Sequence, residues 1–164
     1  MGIEGIMVAH MAKVFSWNDK NELWIIMSLE ISDLDDLHKE RNRLQKFYSI
    51  EEVLQSAREI LIILKNIHKI NLYHLDIKLP NLVFDKDNNK VLIIDFGTSQ
   101  YSSEGEFVTL KGISLACMPL FLRSIYKEKG NDKGLIEILN KPLNCKKLIL
   151  IDVFSVFFLS LEKI

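Results

Sequence analysis

The sequence predicts an α+β fold that is mostly helical and contains short β-hairpins. Apolar residues recur at helical spacing through residues 53–67, which is typical of an amphipathic helix. Two pairs of short apolar runs, one within residues 12–27 and one within 82–94, are joined by turn-forming residues. The last apolar run, residues 148–161, has the length of a buried core helix. A chain of 164 residues can bury a sizeable core, so one domain is expected.

The composition is that of an ordinary globular protein, since 48% of the residues are apolar and 26% are charged. The formal net charge of −1 provides no field that would attract nucleic acid or an anionic membrane, so neither is expected as a partner. Two cysteines, Cys117 and Cys145, are too few for a disulfide framework. They predict a reduced, intracellular setting, in the cytoplasm or the nucleus. Residues 1–11 lack the basic start and the long apolar core of a secretory signal.

The first third of the chain should contain a hairpin and a helix. Residues 12–17 and 22–27 are rich in β-forming residues, and the turn-forming stretch NDKN separates them. Asp33 is a suitable cap for a helix over residues 34–47. The large apolar residues on one side of that helix would be Leu34, Leu37, Leu44 and Phe47.

A second, stronger helix is expected to begin after Ser49. Ser49 and Glu52 have the spacing of a capping box, in which each side chain bonds the backbone N–H of the other residue. The helix should run to about Ile70. Its apolar stripe consists of Val53, Leu54, Ala57, Ile60, Leu61, Leu64 and Ile67.

The second half of the chain should contain a hairpin, two irregular stretches and a helix. Residues 82–94 predict a hairpin around the turn-forming stretch DKDNN. Residues 97–119 show no period and are rich in Ser, Thr and Gly, which predicts a long mobile loop with a function. Residues 127–147 predict a solvated, flexible insertion. The final run, 148–161, is short for a membrane span and carries Asp152 near its middle, which favours a core helix over a tail anchor.

Four polar residues fall close together before the second hairpin: His74, Asp76, Lys78 and Asn81. Asp95 follows the second strand of that hairpin, and the antiparallel return should place it alongside Asn81. A carboxylate and an amide oxygen are hard ligands that suit Mg²⁺. Asp76 stays free to orient a hydroxyl, and Lys78 can neutralise a transferring phosphate. These are the parts that phosphoryl transfer requires.

The pattern His-x-Asp-x-Lys-x-x-Asn, then a hairpin, then Asp-Phe-Gly at residues 95–97 resembles the C-terminal lobe of the eukaryotic protein kinases. The resemblance implies a kinase-like domain over residues 1–164. Within it, residues 12–31 would be the strands and hinge of a remnant N-terminal lobe. Residues 32–164 would be the C-terminal lobe, as far as the central helix of the family.

The resemblance implies ATP-dependent phosphoryl transfer to Ser or Thr of a protein substrate, with ATP and Mg²⁺ as cofactors. Asp76 would be the catalytic base, and Lys78, placed as in the serine/threonine type, would contact the phosphate. Asn81 and Asp95 would be metal ligands and would bind ATP. The ATP-binding stretch would begin with Met27 as gatekeeper, followed by a hinge from Ser28 to Ile31. The hinge backbone around Leu29 and Glu30 would bond the adenine edge. The ribose would be reached from Asp33, Asp35 or Asp36.

The stretch GISLACMPL, residues 112–120, aligns with the kinase segment that closes the activation loop and receives the substrate. We call residues 97–119 the activation segment. Its implied functional residues are Thr109, Gly112, Ser114 and Pro119. Structural support is implied for His74, Phe96, Gly97 and Asp152. In the family, the carboxylate at the position of Asp152 accepts backbone N–H bonds from the catalytic loop, which would explain an aspartate in an apolar helix.

Four positions depart from the family. Leu75 stands where many kinases carry an arginine that pairs with a phosphorylated activation loop, so a phosphate there would lack this partner. Ile113 replaces a threonine that bonds the catalytic Asp and Lys. Leu120 replaces the glutamate of the Ala-Pro-Glu signature, and Phe157 replaces a small glycine.

The sequence contains no Gly-x-Gly-x-x-Gly, and Lys13 lies too close to Met27 to be the nucleotide-binding lysine. A serine/threonine-type protein kinase whose activity is impaired in this chain is therefore expected. The alternative is a catalytically weak pseudokinase that serves as a scaffold or regulatory binding module for a regulatory protein or a partner kinase. Small-molecule kinases share the Asp…Asn pattern and the later Asp, but Lys78 and the Asp-Phe-Gly at Asp95 argue against them.

Overall fold

The computed structural model describes residues 15–17, 22–24, 33–85, 88–114, 118–129 and 131–161. These residues form an α+β structure in which helices dominate. The helices are α1 Leu34–Arg43, α2 Ile50–His68, α3 Leu120–Lys129, α4 Asn131–Asn140 and α5 Cys145–Leu161. The strands are β1 Phe15–Trp17, β2 Glu22–Trp24, β3 Leu72–Tyr73, β4 Leu82–Asp85, β5 Lys90–Ile93, β6 Gln100–Tyr101, β7 Phe107–Val108 and β8 Leu143–Asn144. A 3₁₀ turn covers Leu79–Asn81.

The described strands pair antiparallel in twos: β1 with β2, β3 with β6, β4 with β5, and β7 with β8. Both predicted hairpins are present, as β1–β2 and β4–β5. The other two pairs join distant parts of the chain. The β3–β6 pair connects the end of the α2 region to the activation segment, and β7–β8 connects that segment to the start of α5.

Helix α2 forms where predicted, but its buried side differs from the predicted stripe, since Leu54 is exposed and Ile63 is buried. Ser49 Oγ accepts the N–H of Glu52, and the Glu52 carboxylate accepts the N–H of Ser49, so the capping box is complete. The apolar stripe of α2 packs against α5 and the β4–β5 hairpin. The buried residues of this cluster are Ile60, Ile63, Leu64, Ile67, Ile77, Leu82, Val91, Ile93 and Val156. Burying a Leu or Ile side chain contributes roughly 1.5–3 kcal/mol, so this packing holds α2 against α5 and the hairpin.

Helix α1 is shorter than predicted. It begins after the Asp33 cap but ends at Arg43, and Phe47 is 82% exposed rather than part of an apolar side. Gln45 has a φ of 53°, and the N–H of Lys46 donates to the carbonyl of Arg41 at 2.9 Å. This is the Schellman pattern that ends helices, formed here with Gln instead of the usual Gly. The predicted end at residue 47 was therefore wrong.

The prediction of a solvated, flexible insertion at residues 127–147 was also wrong. This stretch forms the end of α3, all of α4 and strand β8, and Ile138 and Leu143 are fully buried. Helices α3 and α4 approach so closely that a Cβ at Gly134 would lie 2.8 Å from Tyr126 Cα. The two glycines and many charges of the stretch resemble a loop, but here Gly134 permits a helix contact.

The last helix is a core helix, as predicted. Leu148, Ile151 and Val156 of α5 are buried, and so is Asp152. Within the described ranges, no helix is both long and apolar enough to cross a membrane. The activation segment is less irregular than predicted, because it contains β6 and β7.

Candidate active site

Residues 74–81, which we call the polar loop, are tied to α5 by the carboxylate of Asp152. This side chain is fully buried. Its Oδ2 accepts the N–H of His74 at 3.0 Å, and its Oδ1 accepts the N–H of Leu75 at 2.7 Å. A buried carboxylate must have hydrogen-bond partners, so these bonds fix both α5 and the loop. Leu75 adopts a φ of 68°, a left-handed conformation that is unfavourable for a large side chain and that the bonds to Asp152 stabilise.

His74 joins the polar loop to the end of the β4–β5 hairpin. The N–H of Asp76 donates to His74 Nδ1 at 3.3 Å, so Nε2 carries the ring hydrogen and donates to the carbonyl of Ile94 at 3.0 Å. Phe96 meets the imidazole edge to face, with ring centroids 4.7 Å apart. The imidazole therefore spans the space between Asp76 and the Asp-Phe-Gly stretch.

The carboxylate of Asp76 receives two donors on the same oxygen. Lys78 Nζ lies 2.7 Å from Asp76 Oδ2, and Asn81 Nδ2 donates to this oxygen at 3.0 Å. Asn81 Nδ2 also donates to the carbonyl of Asp76, at 2.8 Å. Within the described residues, no hydrogen bond reaches Asp76 Oδ1. One carboxylate oxygen is thus fixed and the other is available to accept a bond from a hydroxyl.

Asp95 is brought to Asn81 by the pairing of β4 with β5. The N–H of Ile94 donates to the carbonyl of Asn81 at 3.0 Å, one step beyond the Leu82–Ile93 pair. Asp95 follows at once, with an exposed side chain and a φ of 61°. Its Oδ1 accepts the N–H of Gly97 at 3.1 Å, and a Cβ at Gly97 would lie only 3.0 Å from that oxygen. A side chain at this position would therefore displace the Asp95 carboxylate slightly.

The donor set at Asn81 and Asp95 fits Mg²⁺. Asn81 uses its amide nitrogen toward Asp76, which leaves its Oδ1 as the ligand atom. No group of three or more His, Cys, Asp and Glu residues forms a metal cluster in the part of the chain that the structure describes. Mg²⁺ does not need one, since it commonly binds one or two carboxylates and completes its shell with waters and phosphate oxygens.

The implied substrate residues lie along the activation segment. A Cβ at Gly112 would lie 3.4 Å from Thr98 Cγ2, next to the Asp-Phe-Gly stretch. Thr109 is exposed, and its carbonyl accepts a bond from Gln100 Nε2 at 2.8 Å. Pro119 is buried, and its carbonyl accepts the first N–H bonds of α3.

The structure gives the burial and contacts of three residues that depart from the family pattern. Ile113 is half-buried and packs against the apolar cluster that contains Leu75, and Ser114 beside it is half-buried as well. Leu120 opens α3 with its side chain 70% exposed, and Phe157 on α5 is 61% exposed.

The structure describes only some of the residues that the family resemblance implies for ATP binding. The gatekeeper Met27 and the hinge residues Ser28, Leu29 and Glu30 lie outside the described residues. Of the three carboxylates named for the ribose, Asp33 Oδ1 accepts the N–H of Asp36 at 2.8 Å as the cap of α1. Asp35 pairs with Lys39 at 2.7 Å.

Sequence reasoning missed three residues that contact this network. His68 Nε2 lies 2.8 Å from Asp152 Oδ2, and its side chain is only 11% exposed. The hydroxyls of Thr98 and Ser99 both donate to the carbonyl of His74, at 3.2 and 3.3 Å. His68 could have been found, because it follows Leu64 and Ile67 on the buried side of α2. Two hydroxyls after an Asp-Phe-Gly stretch give no such signal.

The family model described as Protein kinase domain matches residues 7–119, more than half of the chain. The chain belongs to the protein kinase family. Its fold is similar to that of the Cydia pomonella granulovirus kinase, with a TM-score of 0.57 and 20% identity. That match covers 89% of this chain and 45% of the granulovirus chain. The described part is thus a helical kinase-type α+β fold.

Curated relatives of this chain are named as protein kinases, and two of the three described here are named as serine/threonine kinases. A probable serine/threonine-protein kinase of fowlpox virus is 37% identical over 75 residues, which is 45% of this chain and 23% of that protein. Cdc7 of Drosophila melanogaster is 32% identical over 63 residues, 37% of this chain and 9% of its own length. Calcium-dependent protein kinase 22 of Arabidopsis thaliana is 33% identical over 119 residues, 68% of this chain and 23% of its own length. The chain therefore spans about a quarter or less of these relatives.

Proposed function

We propose that the protein takes part in ATP-dependent phosphoryl transfer to Ser or Thr hydroxyls of a protein substrate. This proposal rests on the hydrogen bonding of the Asp76 carboxylate, whose Oδ2 accepts bonds from Lys78 and Asn81. Its Oδ1 is available within the described structure, at the point where a substrate hydroxyl must be oriented. The names of the relatives support the same reaction.

Each polar residue has one proposed role in this reaction. Asp76 Oδ1 accepts the hydrogen of the substrate hydroxyl and so orients its oxygen toward the phosphate. Lys78, already 2.7 Å from Asp76, contacts the transferring phosphate from the same side. Asn81 and Asp95 hold Mg²⁺, which when bound neutralises charge on the phosphates. His74, Phe96, Gly97 and Asp152 keep these side chains in position.

The rest of the proposed site follows the family. Met27 is the gatekeeper and residues 28–31 are the hinge that binds the adenine, within an N-terminal remnant at 12–31. Residues 32–164 form the C-terminal lobe. Thr109, Gly112, Ser114 and Pro119 lie in the surface that receives the substrate. Because both ATP and a protein hydroxyl are needed, the proposed setting is intracellular, in the cytoplasm or the nucleus.

The proposal is tested by incubating the 164-residue chain with radiolabelled ATP and generic protein substrates. We expect weak transfer or none from this chain alone, because its sequence has no glycine loop to cover the phosphates, and misplacement of about 1 Å can reduce a rate roughly a hundredfold. Asp76→Asn is the contamination control and should abolish whatever transfer is seen. Transfer that persists in Asp76→Asn contradicts the role given to Asp76.

Metal and nucleotide binding is tested separately by calorimetry with Mg²⁺-ATP. Asp95→Asn should weaken binding, because it removes the one carboxylate among the two proposed ligands. Asp76→Asn is the matched control and should bind as the unmodified chain does. Equal affinity of the chain and Asp95→Asn rules out the metal role.

A second candidate function is a regulatory binding module. It is favoured by Ile113, which packs into an apolar cluster where the family has a hydroxyl, and by Leu120, which is exposed where the family has an anchoring glutamate. Under this function, Asp76→Asn would leave the effect on a partner kinase unchanged.

A further inference from the structure

The activation segment is attached to the rest of the chain at two separate strand pairs. Near its start, Gln100 and Tyr101 pair with Tyr73 and Leu72, just before the polar loop. Further along, β7 pairs with β8, the strand that immediately precedes α5. Gln100 closes the intervening stretch through its bond to the carbonyl of Thr109. The segment is therefore tied to the strand just before the polar loop and to the strand just before α5.

From β7 onward, the segment packs into one apolar cluster. Leu110 and Met118 of the segment are buried in it, and Val108 and Ile113 lie against it. The cluster residues from outside the segment include Leu75 of the polar loop, 2% exposed, and Leu143 of β8, fully buried. Leu75 occupies the position at which the family resemblance implies an arginine for a phosphorylated segment. An apolar side chain packed in the cluster thus occupies the position of that arginine.

We infer that Leu75 and Leu143 are positioning residues that hold the substrate-binding part of the activation segment by apolar packing. The protein-substrate surface is then formed without phosphate on Thr109 or Ser114. The substrate role of this surface rests on the proposed function, whereas the packing itself does not.

The two ways of holding the segment differ in physical character. A phosphate–arginine pair at the surface is screened by salt and is lost when the phosphate is removed. Apolar burial is insensitive to phosphatase and is not weakened by salt. The two can therefore be distinguished on the isolated chain without any assay of activity.

The first experiment measures hydrogen exchange in the complete 164-residue chain. Leu143→Ala should accelerate exchange at residues 107–110 by about tenfold or more, since local opening depends on the contacts that close the segment. Leu143→Met, which conserves volume, should restore slow exchange. Ile136→Ala, an exposed site on α4, is the matched control and should leave exchange unchanged. Unchanged exchange at 107–110 in Leu143→Ala overturns the inference.

A second variant covers the case in which Leu143→Ala does not fold. Val108 is half-buried opposite Leu143 in the β7–β8 register, so Val108→Ala removes less volume and tests the same contact. Exchange at 107–110 should rise in this variant, while exchange in α2 stays the same. A rise spread evenly over the chain would assign these residues a general stabilising role and overturn the inference.

The third experiment tests independence from phosphate. Phosphatase treatment and salt of about 1 M, at which surface ion pairs are screened within roughly 3 Å, should both leave exchange at 107–114 unchanged. Faster exchange after phosphatase would show that a phosphate holds the segment and would overturn the inference.

The kinetic experiment uses any form of the protein that shows transfer dependent on Asp76. Leu143→Ala should raise KM for a peptide substrate about tenfold and leave KM for ATP within about twofold, because the segment binds peptide and not nucleotide. An equal rise in both constants contradicts the positioning role. If no form transfers phosphate, the proposed function fails, and the exchange experiments still decide the inference.

Discussion

The polar loop and the activation segment are neighbours, but they are fixed in different ways. The loop is held by directional hydrogen bonds that converge on Asp152, and its own side chains bond one another around Asp76. The activation segment is held by apolar packing and two short strand pairs. Hydrogen bonds define atomic positions more narrowly than apolar contacts do. The difference suits a loop that must align reacting atoms and a segment that must accept varied polypeptides.

The comparison is tested most severely by Asp152→Ala. This change leaves the backbone N–H groups of His74 and Leu75 buried without an acceptor and should cost about 3–5 kcal/mol. Denaturant unfolding gives the loss in stability, and hydrogen exchange should accelerate across residues 73–81. Asp152→Asn, which keeps one carbonyl oxygen, should lose less. Unchanged exchange in 73–81 would show that these bonds do not determine the position of the loop.

The apolar side of the comparison is tested by Leu75→Ala. Removing a side chain that is 2% exposed leaves a cavity in the cluster and should cost about 2–4 kcal/mol. Exchange should rise in the activation segment, since the N–H bond of residue 75 to Asp152 does not depend on its side chain. Leu54→Ala, on an exposed site of α2, is the size-matched control. A larger effect on the polar loop than on the segment would contradict the division between the two regions.

A smaller effect is expected from His68→Ala. The change removes one of three contacts of Asp152, and the two backbone donors remain, so the loss should be about 1 kcal/mol. His68→Gln can keep a donor near Oδ2 and should recover part of it. The measurement is thermal unfolding of the three proteins side by side. A loss as large as that of Asp152→Ala would make His68 an equal partner in fixing the loop.

The smallest effect is expected at the Arg41–Glu52 pair, which lies outside both regions. The side-chain bond from Arg41, with a backbone bond from Ser49, lowers the pKa of Glu52 to about 2. A carboxyl whose pKa is lower in the folded state stabilises the fold above its unfolded value. This contribution is lost as the pH falls from about 4.5 toward about 2. Both side chains are over a third exposed, so solvent screening limits the contribution to below about 1 kcal/mol.

The pH dependence of unfolding for Arg41→Ala checks this expectation. The variant should lose its difference from the unmodified chain as the pH approaches 2. Arg43→Ala is the matched control, because Arg43 pairs with Glu40 within α1 and does not join α1 to α2. A difference that persists unchanged at pH 2 would mean that Arg41 acts through its stacking on Tyr48.

The polar loop could be predicted from the sequence because the spacing of its polar residues is enough to identify it. Asp76, Lys78 and Asn81 are close in the chain, and a hairpin of ordinary length returns Asp95 to Asn81. Helix α2 was equally readable, since its cap and its stripe agree. Helix α4 was not, because Gly134 signals a chain break unless the neighbouring helix is known. The β7–β8 pair was also beyond prediction, since two residues on each side hold no recognisable period.

The antiparallel register of β4 and β5 determines where the chain can change in length. Residues added between Asp85 and Lys90 would enlarge the connection and leave the Leu82–Ile93 pair intact. A single residue added inside β5 would instead shift the strand residues that follow it to the opposite face and move Asp95 out of register with Asn81. Related chains can therefore differ in the number of residues between these two positions without separating them. The same connection is the natural place to insert a peptide tag or a fluorescent label.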